Sequence, residues 1–149
     1  MASIDTALAT VTQGIASYLP DIDVSEHPGR FTEDELGRTL TKQQAVRVAI
    51  ERINNFNAQG NGIVEAEIQF AAFVICADKR GEDRHKTALV LIEKLAGLVT
   101  YARWDRPETF RAAIPDEIAI DNLYSGPLSN GKGIAMWVVT WNQKIRATN

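Results

Sequence analysis

The chain has 149 residues, a formal net charge of -3, 45% apolar residues and 23% charged residues. That is enough length to bury one hydrophobic core without metals or disulfides, and too many aliphatic residues for a disordered chain. The acidic balance gives no basic field to hold a polyanion by counterion release, so tight nucleic-acid binding is not expected.

A single cysteine, Cys76, leaves no internal disulfide. The opening MASIDTALAT lacks the cationic and apolar regions of a secretion signal, so the expected site of synthesis and folding is the cytosol. No apolar run approaches the roughly 20 residues that cross a bilayer as a helix, and no membrane role is expected.

From Ser3 to Tyr18, the residues Ile4, Leu8, Val11 and Ile15 fall on one helical stripe and predict an amphipathic first helix that stops at Pro20. Residues 20–44 hold prolines, glycines and many carboxylates without periodicity, which predicts a long acidic loop or arm. Connections longer than about 12 to 15 residues are uncommon in compact domains, which marks this one as a contact surface.

Alternation in AVRVAIERI predicts a strand near 45–53, NNFNAQGNG supplies turn residues over 54–63, and EAEIQFAAFVICAD predicts a second strand near 64–77. After the polar connector DKRGEDRHK, the residues Ala88, Leu91, Ile92, Leu95, Leu98, Val99 and Ala102 recur at helical spacing. They predict a helix over about 84–102 lying across the sheet, with Asp83 as N-cap. Pro107 and Pro115 bound an irregular stretch, DEIAIDNLY predicts a strand near 117–124, and a last strand runs over 133–145.

The expected fold is thus one α+β domain over 1–149, a four-stranded, mainly antiparallel sheet with helices packed on one face. Val46, Val48, Ile50, Phe70, Leu91, Leu95, Leu98, Ile120, Trp137 and Val139 are its expected core.

No catalytic pattern stands out. No GxxxxGK[ST] or GxGxxG occurs, and SNGKG at 129–133 joins two strands and reads as a hairpin turn. His27 and His85 sit on separate polar segments without metal-ligand spacing, and Cys76 has no nearby histidine in sequence to activate it. Glu33, Asp34 and Glu35 form a run that reads as solvated or interface charge. No cofactor is expected, and the chain is not expected to be an enzyme.

Trp137 and Trp141 fall on one face of the last strand with Val139, while Met136, Val138 and Thr140 fall on the other. A strand apolar on both faces is either central with cover on both sides or part of a subunit contact.

The order of elements, with FAAFVICAD, RHKTALVLIEKL, DEIAIDNLYSGPL and GIAMWVVTWNQKI, resembles the Mu-like family of phage tail terminator, or tail completion, proteins. The resemblance covers roughly residues 3–145. It implies a structural virion protein, assembled in the host cytoplasm, that forms a homohexameric ring on the tail tube protein. Such a ring stops tube growth and joins head-completion or connector proteins.

DNA would pass through the lumen without specific binding, past an acidic wall to which Asp21, Asp23, Glu26, Glu33, Asp34 and Glu35 are candidate contributors. Arg30, Phe31, Lys79, Arg80, Arg84, Trp137 and Trp141 are the expected assembly-interface residues, the arginines because their donor fork suits carboxylates across an interface. Two alternatives remain open: a small enzyme whose site is built from scattered residues, and a terminal ring of a related contractile injection device.

Overall fold

A computed structural model describes residues 4–31, 44–77, 84–111, 117–127 and 133–148. Its elements are α1 (Ile4–Tyr18), β1 (Asp23–Glu26), β2 (Gln44–Ala58), β3 (Ile63–Ala77), α2 (Arg84–Val99), β4 (Ile118–Pro127) and β5 (Gly133–Thr148). The strands form one five-stranded sheet in the order β1-β2-β3-β5-β4. The α+β class holds, but the expected four-stranded sheet is corrected to five strands. The β1–β2 pair is parallel, so the sheet is mixed.

The added strand comes from the stretch read as an arm. Four residues with one apolar side chain, Val24, are too short to show alternation. Their pairing depends on a distant residue: Arg47 donates from Nη1 to the Asp23 carbonyl and from Nη2 to Asp23 Oδ2, each at 2.9 Å. The rest of the expected arm beyond Phe31, with Glu33, Asp34 and Glu35, lies outside the described residues, as do Asp83, Lys79, Arg80 and the SNGKG turn up to Lys132.

The β2–β3 turn is also tighter than expected. The strands continue to Ala58 and resume at Ile63, closed by Gln59 N donating to Ile63 O at 2.7 Å and Gly62 N to Gln59 O at 3.1 Å. Asn54 to Asn57, read as loop, belong to β2 as a bulge in which Asn55 takes φ 52°, a conformation asparagine tolerates better than most residues. Helix α2 ends at Val99 instead of near 102, and Tyr101 follows at φ 60°.

Both helices pack on one face. Val11 and Ile15 of α1 and Leu91, Leu95 and Val99 of α2 share a core with Val46, Val48, Phe70, Val139 and Trp141. The opposite face buries smaller residues, including Ala45, Ala49, Ala71, Ile75, Met136 and Val138, with Phe31 packed against them. The two-faced reading of β5 therefore holds.

Four expected core residues fall short. Ile50, Leu98 and Trp137 are half-buried, and Ile120 is 43% exposed. Ile120 pairs with Val139 and so faces the helix side. It lies on the edge strand, beyond the main cover of the helices.

Candidate assembly surfaces

The root of the expected arm is a strap. His27 N extends the ladder by donating to Val48 O at 2.9 Å, and Gly29 N donates to His27 Nδ1 at 2.9 Å. Gly29 takes φ 102°, which an L side chain rarely adopts. The turn stacks the Phe31 ring on His27 at 3.9 Å and sets it edge-on to Phe73 at 4.9 Å. Phe31 thus spends much of its surface on its own sheet, while its neighbour Arg30 is exposed.

The remaining expected interface residues scatter. Arg84 opens α2 and is half-buried. Trp137 is half-buried on the helix side, 6.2 Å from the His85 ring, and its indole N–H has no hydrogen-bond partner among the described residues. Trp141 is fully buried and stacked on Phe70 at 5.5 Å. It has no surface to give a neighbour, so its expected interface role is corrected to a core role.

Trp141 instead belongs to a hub. Gln143, only 2% exposed, accepts from Trp104 Nε1 at 3.0 Å and from Trp141 Nε1 at 3.2 Å. Its Nε2 donates to the carbonyls of Ala102 at 2.8 Å and Arg111 at 2.7 Å. One amide ties β5 to the stretch between α2 and β4. Sequence reasoning missed it, although alternation through Trp141, Gln143 and Ile145 places a glutamine at a core position of a strand.

Of the nine large apolar side chains exposed among the described residues, six lie on two flanks of the domain. Ile120, Leu123 and Tyr124 belong to the edge strand β4, where Asp121 and Glu117 are the only charges between residues 117 and 127. Tyr18, Leu89 and Val90 lie on or beside a groove of about 440 Å³ between the end of α1 and α2, which also takes in Ile22, Lys86 and Lys94. A second, polar cleft runs over Glu65, Glu67, Arg111, Lys144 and Arg146. Its Arg146–Glu65 pair, at 3.6 Å and largely exposed, is screened by water and holds little.

Other chemistry is quiet. Asp23 is committed to Arg47 in an ion pair, which reduces its part in any acidic wall. Burial pushes the Cys76 thiol up to about 12, so it is held as the unreactive thiol. No group of three or more metal-ligating side chains occurs among the described residues, and none of their helices is long and apolar enough to cross a membrane. The chain matches no protein-family model and no curated protein.

Proposed function

We propose that the chain is a structural subunit of a phage tail, a tail-terminator-like protein that closes into a hexameric ring on the end of the tail tube. The ring halts tube growth, offers its other side to head-completion proteins, and lets DNA pass without specific binding. Its place is the virion, after assembly in the host cytoplasm.

One observation carries this reading: six of the nine large apolar side chains exposed among the described residues gather on two separate flanks, the edge strand β4 and the groove between α1 and α2. A small-molecule site is a concave, mostly apolar pocket, and β4 is an edge strand and not such a pocket. A subunit of a ring needs two different contact surfaces, one for each neighbour. The resemblance of the sequence to tail terminators, noted above, points the same way.

The test is assembly on a tube. Adding the purified chain to growing tubes should leave them shorter and uniform, with a ring of subunits at one end in electron micrographs. Tubes of unchanged length with bare ends would overturn the proposal.

A further inference from the structure

We propose that the edge strand β4 of one copy seats in the groove between α1 and α2 of the next copy, as the subunit contact of the ring. This rests on the ring reading above and names the surfaces that make it.

The two surfaces complement each other in chemistry. Strand β4 presents Ile120 and Leu123, 43% and 49% exposed, beside Asp121, with no lysine or arginine between residues 117 and 127. The groove presents Tyr18 and Val90, 54% and 55% exposed, between Lys86 and Lys94, with Asp21 as its one carboxylate. An apolar ridge with acidic margins thus meets an apolar groove with a cationic rim. Apolar contact supplies the area, and the opposite charges set orientation and exclude the same strand from a second copy of itself.

They also lie towards different edges of the sheet. Strands β1 and β4 are the two edges of the sheet, and Asp21 and Ile22 of the groove lead directly into β1. The ladder links the flanks row by row: Gln44, which lines the groove, pairs with Cys76, Cys76 with Ala135, and Ala135 with Ser125 of β4. Leu123, between the rows of Val46 and Ala45, lies within two residues of the Gln44 row, and Ile120, in the row of Val48, lies four residues from it. A head-to-tail contact closes a ring where its rotation returns the last copy to the first, and builds a helical filament where it does not.

A competing mate for β4 is the outer edge of β2, where Ile53 and Phe56 are exposed. Two register shifts, between Ile50 and Arg52 and between Asn54 and Asn57, break that ladder, a device that keeps edges from pairing. At the height of β4 the place beside β2 is already filled by β1. The groove has neither obstacle.

Disulfide trapping tests the contact on the full chain, since buried Cys76 stays out of exchange. A Val90→Cys, Leu123→Cys double variant, oxidised at high concentration, should give a ladder of covalent multimers ending at the ring, while each single variant stays monomeric. Asp121→Lys or Lys94→Glu should weaken self-association about tenfold at low salt, and combining them should restore it. Circular dichroism matching the parent confirms that each exposed substitution leaves the fold intact.

A covalent dimer from Leu123→Cys alone would mean that β4 pairs with itself, and it overturns the contact. So does the absence of a ladder at any concentration. Rings on tube ends with no trapping would refute the contact and leave the ring reading standing. A ladder with tubes of unchanged length would refute the cap reading and leave the contact standing.

Discussion

Replacing Gln143 by leucine removes the amide and keeps the approximate size of the side chain. Four hydrogen bonds go with it, two accepted from Trp104 and Trp141 and two donated to Ala102 and Arg111. The Trp141 indole N–H is fully buried and cannot find water, so it bears a full desolvation penalty of about 1–3 kcal/mol. Trp104 is half-buried, and Arg111 is exposed, so their groups recover part of the loss from solvent. Leucine regains something by apolar burial, and the net expectation is a destabilisation of about 3–4 kcal/mol, a large part of the roughly 5–15 kcal/mol of a typical domain. Urea unfolding followed by circular dichroism and tryptophan emission measures it. A Gln143→Glu variant, which still accepts from both indoles but lacks the two-proton amide donor that serves both carbonyls, should also be destabilised. A Gln143→Leu midpoint equivalent to less than about 0.5 kcal/mol of change, within the range of ordinary surface substitutions, would refute the hub.

Gly14→Ala should destabilise despite alanine's helix advantage of about 1 kcal/mol, because its Cβ would lie 2.6 Å from Trp104 Cε3; thermal melts against the parent decide the sign. Tyr101→Gly should raise stability by about 0.5–1 kcal/mol in the same melts, since Tyr101 is exposed and holds φ 60° after α2. Cys76 should resist thiol reagents in the native protein and react fully in denaturant. Because its folded pKa is raised from 9.0 to about 12, its contribution to stability is complete below about pH 8.5 and falls as pH rises towards 12, by at most about 1.4 kcal/mol per pH unit. Urea midpoints from pH 8 to 10, compared with a Cys76→Ala variant, give the difference. Ile120→Ser should leave urea stability within about 0.5 kcal/mol of the parent because its site is an uncovered edge.

Elements with long periodic patterns were legible in the sequence, and those held by single distant contacts were not. The stripe Val11 and Ile15, the spacing Leu91, Ile92 and Leu95, and the alternation through Val46 and Val48 each declare an element and its buried face. β1 carries one apolar residue and depends on Arg47, more than twenty positions away, so nothing local reveals it. Asn54 to Asn57 were misread because turn-forming residues also suit a bulge, and only the partner strand β3 decides between them. Ile120 shows the same limit: alternation gives the face of a strand but not whether a helix reaches over it. Of the expected interface residues, Trp141 was misplaced because size and aromaticity alone do not separate a core anchor from a surface anchor.

The tryptophans of β5 first suggested a subunit contact on the strand itself, since two helices cannot hide both faces of a sheet. The second face is in fact apolar but built from small side chains, Ala45, Ala49 and Ala71 among them, and the short strap from His27 to Phe31 packs there. Small residues let a backbone segment lie close: a Cβ on Gly29 would sit 3.6 Å from that of Ala49. A glycine-turned strap thus covers part of this face at Ala49 and Phe73, while β5 is an interior strand between β3 and β4. Most of the exposed large apolar side chains lie instead on β4, an edge of the sheet, and on or beside the groove between α1 and α2. A mutation meant to disturb assembly therefore belongs at Leu123 or Val90, whereas one at Trp141 reports on folding.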